Sequence, residues 1–543
     1  MRHRHLIPSI VMALLLAASS GASQELRGQA FELTTATIAD INAAFDSGKL
    51  TAEKLIELSL ARIAAFDDAG PHLNAVLTLN RNALAEARAL DAERATSGPR
   101  SPLHGIPILL KDNFDTHDLP TTGGSFVLAG SLPPDDAFLV RKLRDAGAVI
   151  LAKTNMSEFA SGDPLSSFGG VTRNPHDLER SPSGSSIGTG VGIAAAYAPL
   201  GLGTDTGGSV RAPASANGIV GLRPTYGLLS RDGIIPLGLS FDMAGPMARN
   251  VYDVAVSLGI LAGVDPADDA TARAAGRVES DYTSYLDVNA LAGARIGVAR
   301  QFLGQDGDVD WVVETSVEAL RAAGATIVDV EFPEWLLLSR VDLYWTVRIP
   351  EFKPHMGAYL ATLDDAYPKT VEELYRRSTM LRSPSPEGYI PNASRWHLLK
   401  TEAEQDTSND YDYRAVRDHG LPLIRDIVAG LFEANRLDAI VYPTSPTRPP
   451  RLDADPPPEL VGGSASTATL GITPTNIASL AGFPDLAVPA GFTSSGLPVT
   501  LSFLGPAFSD GRMLALGYAF EQRTAARRLP RTTPPLPGET LRH

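Results

Sequence analysis

The chain has 543 residues, 44% of them apolar and 20% charged, which is the composition of a folded globular protein and excludes a disordered or fibrous one. Forty-seven basic against 62 acidic side chains leave a formal charge of −15, and no Lys/Arg run in the body exceeds two, which argues against a nucleic-acid groove. With no cysteine there is no thiol nucleophile, no lipid-modified N-terminus and no disulfide framework.

The N-terminal stretch "MRHRHLIPSIVMALLLAASSGASQE" has a basic start at Arg2 and Arg4, an apolar run from Leu6 to Ala18, then small residues. That is the layout of a secretory signal peptide over residues 1–23, cleaved after Ala22 or Ser23. The run is too short to span a bilayer, so the expectation is an exported, periplasmic or secreted bacterial protein without a stable membrane anchor.

Residues 24–100 read mainly as helix: Ile38, Ile41, Leu55, Ile56, Leu60 and Ile63 fall near the helical period, and Thr51 with Lys54 follows a turn at Ser47-Gly48. From 101 to 300 short apolar strands ("PILL", "GAVILAK", "YAPLGLGT", "NGIVGLRPT", "ARIGVAR") alternate with helical stretches ("DDAFLVRKLRDAG", "NVYDVAVSLGILAG"), the pattern of an α/β layered fold. Residues 301–440 read as mainly helical and as the source of a substrate pocket. Residues 441–530 return to strands ("LDAIVYPTSP", "FPDLAVPAG", "LPVTLSFLG") that would re-enter the same sheet, and 531–543 form a Pro-rich tail. By composition, 442–467 is a loop. The unit 24–543 is therefore expected to be one large domain.

The stretch "GLGTDTGGSVRAPAS" places Ser209 after two glycines with no histidine nearby. A hydroxyl needs a base before it attacks anything. Of ten histidines, His3 and His5 lie in the signal, His543 is the last residue, and the remaining seven form no pattern, which leaves a histidine-dependent α/β-hydrolase without support. "GSSIG", 184–188, does match G-x-S-x-G with Ser186 as nucleophile, but Pro182 interrupts the strand that such an elbow requires. Lysine is the other base. Lys111 closes the apolar run of "LHGIPILLKDN", where desolvation would lower its pKa, although a solvated strand-end charge is the plainer reading of that residue alone.

Ser185 stands 24 residues before Ser209, and "LLKDN", "SPSGSSIGTG" and "LGTDTGGSVRAPA" together resemble the amidase signature family of serine hydrolases. "TTGGS", "LAKTNMSEFA", "NGIVGLRPTYGLLSRDGIIP", "SFDMAGPMARN", "YPTSPT" and "NIASLAGFPDLAVPAG" extend the likeness in family order over nearly the whole chain. The resemblance implies a central mixed sheet surrounded by helices. It also implies a Ser-Ser-Lys triad, with Lys111 as base, Ser185 as a bridging serine after a cis peptide, and Ser209 as the acyl-forming nucleophile. Thr206, Gly207 and Gly208, with Ser209, would turn backbone N–H groups towards an oxyanion. Ser186, Asp205 and Arg211 would support the site, the last two by pairing with each other or with the backbone. The serine loop departs from the family's commonest pattern at Ser183, Ile187 and Thr189; a β-branched residue at 187 resists backbone angles that glycine allows, which leaves the loop's detailed shape open.

The function implied is hydrolysis of a small-molecule or peptide amide without a metal or organic cofactor, by a monomer or homodimer. The likeness leans towards exported bacterial peptide amidases. Aryl-acylamidase, esterase or fatty-amide hydrolase activity are the alternatives, and a catalytically silent binding protein is argued against by the presence of all three triad residues.

Overall fold

The apolar runs read as strands lie side by side, and their sheet brings the candidate residues together. The computed structural model describes residues 30–162, 164–381, 388–405, 410–452 and 474–542, so the signal segment lies outside the described residues. In chain order the strands are β1 (Ala30–Glu32), β2 (Val76–Leu79), β3 (Pro107–Lys111), β4 (Val149–Thr154), β5 (Leu165–Ser166), β6 (Gly170–Val171), β7 (Leu200–Asp205) and β8 (Val220–Arg223). They continue as β9 (Met243–Ala248), β10 (Arg295–Val298), β11 (Thr326–Asp329), β12 (Ala439–Pro443), β13 (Asp485–Phe492), β14 (Pro498–Leu504) and β15 (Thr540–Arg542). Among the described residues, eleven form one sheet in the order β11-β10-β12-β14-β13-β8-β9-β7-β3-β4-β2. β3 runs parallel to β4 and β7, and β10 parallel to β11 and β12, while the other neighbours are antiparallel. The result is the expected single α/β domain with a mixed sheet inside a shell of helices.

Three strands of the large sheet were not singled out in the sequence. β2 and β11, placed within segments read as helical, are the two edges of the sheet. Their residues "VLTL" and "TIVD" are half-exposed or exposed, so they lack the continuous apolar run that marks a strand buried on both faces. β9 lies between β7 and β8 although it contains Pro246, which removes a ladder donor. Gly245 makes the close approach possible: a Cβ there would lie 2.3 Å from the Leu222 carbonyl oxygen. Residues 442 and 443 of the expected loop belong to β12, and 453–467 lie outside the described residues.

Two packing details position the site. The helix Ile187–Ala194 is buried along its whole length, and Gly188 lets it sit against the sheet, since a Cβ there would be 2.1 Å from the Ala75 carbonyl oxygen. The Pro-rich tail is fastened by Arg62, whose guanidinium, 2% exposed, pairs with Glu539 at 2.8 Å and donates to the Thr533 carbonyl at 2.9 Å. β15 then pairs with β1.

Candidate active site

Lys111 ends β3, which is buried throughout and lies between β4 and β7. Its side chain is wholly buried, and Nζ lies 2.7 Å from Ser185 Oγ, 2.7 Å from Thr204 Oγ1 and 3.4 Å from the Thr204 carbonyl oxygen. Burial lowers its pKa to about 7, against the raising influence of the Asp205 and Asp242 carboxylates. The lysine is thus neutral in a large fraction of molecules near neutral pH, and its lone pair has a serine hydroxyl within reach.

Ser185 follows a cis peptide bond from Gly184. A Cβ at 184 would lie 2.6 Å from Ser157 Oγ, so a larger residue there would displace that hydroxyl, and the Ser157 N–H donates to the Ser185 carbonyl at 3.1 Å. Ser209 sits on the turn after β7, half-buried, with no hydrogen bond to its side chain among the described residues. A hydrogen bond from the Ser186 N–H to the Ser209 carbonyl, 3.2 Å, ties the two serine loops together.

Ser186 itself is fully buried: its Oγ donates to the Thr204 carbonyl and accepts the Thr204 N–H, both at 3.2 Å. A buried hydroxyl spent on both backbone groups of Thr204 cannot present itself to a substrate, and this leaves the G-x-S-x-G reading without a nucleophile. Ser186 instead fixes the strand that carries Thr204.

Asp205 and Arg211 pair, as expected, through two bonds of 3.0 Å. The pairing is wider than the sequence indicated. Asp205 also takes Arg223 at 3.0 Å and the N–H groups of Gly208 and Val210, while Arg211 reaches Asp485 at 2.7 Å and Ser479 at 3.2 Å. Burial opposes ionisation of Asp205, but Arg211 and Arg223 hold its carboxyl well below the usual range. One consequence corrects the expected oxyanion donors. The Gly208 N–H, at φ +132°, is committed to Asp205 at 2.9 Å, so the backbone donors left without a partner on the turn, among the described residues, are those of Thr206, Gly207 and Ser209.

Thr206 is anchored through its hydroxyl to Asp242 at 2.6 Å, and Asp242 in turn accepts the N–H groups of Leu237 and Gly238. Tyr344 stands over the turn: a Cβ on Gly207 would come within 3.2 Å of its ring, so a larger residue there would press on the tyrosine. Ile187 does not disturb the loop, because it opens the helix Ile187–Ala194 with ordinary backbone angles; the left-handed conformation falls on Ser183, at φ +60°. Thr189 shares a 2.7 Å hydrogen bond with Thr154. Sequence reasoning missed Thr204, Asn113, Asp242, Arg223 and Tyr344; all but Tyr344 lie inside the quoted segments, but nothing local to them shows which atoms they meet.

A family model described as Amidase matches residues 54–514, a span that includes Lys111, Ser185 and Ser209. The A-type glutamyl-tRNA(Gln) amidotransferase chain of Halorhodospira halophila is 38% identical over 501 residues, covering 90% of this chain and 97% of that protein. Its counterpart from Streptomyces coelicolor is 36% identical over 501 residues, covering 89% and 95%. Among solved structures, native peptide amidase from Stenotrophomonas maltophilia superposes with a TM-score of 0.81 at 38% identity, covering 92% of this chain and 98% of that one. An amidase family protein from Bacillus anthracis gives 0.80 at 30% identity, covering 92% and 93%.

Proposed function

Because this chain belongs to the amidase signature family and is a serine amidohydrolase that cleaves amide C–N bonds, we propose that Ser209 is its nucleophile, Lys111 its base and Ser185 the bridge between them. The observation that carries this assignment is the 2.7 Å contact of the fully buried Lys111 Nζ with Ser185 Oγ. Neutral Lys111 accepts the Ser185 proton while Ser185 accepts that of Ser209, whose Oγ attacks the amide carbonyl. Negative charge forming on the carbonyl oxygen faces the N–H groups of Thr206, Gly207 and Ser209; one such donor is typically worth about 3 to 4 kcal/mol. Lysinium then returns a proton through Ser185 to the leaving nitrogen, the C–N bond breaks, and water attacks the acyl-Ser209 ester by the same proton route. Side chains and backbone donors supply every step, so activity should survive a chelator. In the test, Ser209→Ala abolishes turnover and fluorophosphonate labelling, whereas Ser185→Ala keeps slow labelling of Ser209; an adduct on Ser186 would overturn the assignment.

For substrate, we favour a peptide C-terminal amide, supported by the likeness to the Stenotrophomonas peptide amidase. The amidotransferase relatives, equally similar in sequence, favour a second reading in which the chain frees ammonia as one component of a larger enzyme. Ammonia and amine release from peptide amides, acyl anilides, fatty amides and glutamine separates these readings and the aryl and fatty-amide alternatives. Export rests on residues 1–23 alone; a mature N-terminus near Ser23 or Gln24 supports it and an intact Met1 on a cytoplasmic product refutes it. The acidic surface and a small amide substrate fit an enzyme acting alone, as monomer or homodimer, without nucleic acid; light scattering of the purified protein tests the state.

A further inference from the structure

Asn113 lies two residues beyond the lysine, 1% exposed, and its carboxamide makes a single hydrogen bond among the described residues: Nδ2 to Thr204 Oγ1, 3.0 Å. Its Oδ1 is buried without a partner there, next to a cavity that Thr204, Thr206, Arg231 and Asp242 help to line. Asn155, nearby in the fold, is satisfied at both ends, donating to Thr172 Oγ1 at 3.0 Å and accepting from the Met156 N–H at 2.9 Å and from Ser166 Oγ at 2.8 Å. Asn113 instead spends its one bond on the atom that Lys111 also uses.

The ammonium form of Lys111 has three N–H groups and three oxygen neighbours: Ser185 Oγ, Thr204 Oγ1 and the Thr204 carbonyl. The neutral amine has two N–H groups and a lone pair, and catalysis needs that lone pair on Ser185. We propose that Asn113 is a positioning residue for the base: by donating into Thr204 Oγ1 it takes one of that oxygen's two lone pairs and sets the positive end of its N–H dipole against the atom 2.7 Å from Lys111 Nζ, which weakens the support that Thr204 gives the ammonium and so favours the neutral, proton-accepting amine. The charges facing Lys111 work the other way. Asp205 from β7 and Asp242 from the segment before β9 both favour the ammonium, with Asp205 partly compensated by Arg211 and Arg223. The Asp112 carboxylate, next to the lysine in the chain, is turned to Lys153, Thr122 and Gly124. Thr204 is the neutral contact through which the balance can be set.

The inference rests on the proposed roles of Lys111, Ser185 and Ser209, and the experiment separates the two. The rate of fluorophosphonate labelling is measured from pH 5 to 10 for the full-length wild type, Asn113→Ala, Asn113→Leu, Thr204→Val and the Asn113→Ala/Thr204→Val double variant. Wild type failing to label on Ser209 refutes the triad, not the role of Asn113. Given a labelled Ser209, Asn113→Ala should move the midpoint of the rising limb up by at least half a pH unit, about a threefold slower rate at pH 6 relative to its own plateau. Asn113→Leu, which keeps the branched side-chain shape without a polar atom, is read identically and stands in if the alanine variant does not fold. In the Thr204→Val background the shift should vanish. A midpoint unchanged or lowered, or a shift that persists without the Thr204 hydroxyl, overturns the proposal.

Discussion

Asp205→Asn is a substitution of one atom whose effects on stability and on catalysis can be separated. The carboxylate receives five donors: Oδ1 takes the Gly208 N–H, Arg211 Nη2 and Arg223 Nη1, and Oδ2 takes the Val210 N–H and Arg211 Nε. An amide has one oxygen, so its NH2 group must face at least two of these donors. Arg211 keeps Asp485, but Arg223 loses its carboxylate in a site where both guanidiniums are fully buried. Removing one partner of such a pair costs about 3 to 5 kcal/mol, a large part of the roughly 5 to 15 kcal/mol that ordinarily stabilises a fold. The pH effect has the opposite sense to simple damage. Asp205 favours the charged form of Lys111, so its removal, with two arginines left less compensated, must push the lysine's pKa further below about 7. The expected outcome is a lower guanidinium midpoint by tryptophan fluorescence, together with a labelling limb displaced to lower pH. Unchanged stability, or a limb displaced upward, would falsify the account of this cluster.

In the wild type, labelling and turnover should rise through a midpoint near pH 7 as Lys111 loses its proton, and Lys111→Ala should remove that limb; a limb that survives the substitution belongs to another group. Ser186→Ala should leave the acyl adduct on Ser209 while costing about 1 to 3 kcal/mol, because the buried Thr204 N–H loses its acceptor; urea unfolding and mass spectrometry of the adduct check the two halves. Ser183→Gly, which relieves a left-handed serine, should change stability by no more than about 1 kcal/mol. Ile187→Gly should cost about 3 to 5 kcal/mol, since it empties a fully buried site at the start of a helix; equal unfolding midpoints for the two variants would contradict the loop geometry.

Much of this molecule was legible in one dimension. Strands buried on both faces, such as β3, β4 and β7, read as continuous apolar runs because nearly every side chain they carry must leave water. The three proposed triad positions were legible through the resemblance that their motifs carry in order and spacing; residue chemistry alone left Lys111 as a solvated strand-end charge. The sheet's edges were not, since a strand with one neighbour mixes exposed and buried residues, and neither was β9, where Pro246 argues locally against a strand that Gly245 and the flanking strands nonetheless hold in register. Only the tertiary structure decided how the site is supported. That Ser183 and not Ile187 bears the left-handed backbone, that Asp205 takes the Gly208 N–H, and that Thr204 links Lys111 to Asn113 all depend on which atoms of distant segments come within about 3 Å of one another. Residue identity determines which bonds a side chain can make; the partner it meets is set by the packing of strands that lie dozens to hundreds of residues apart in the chain.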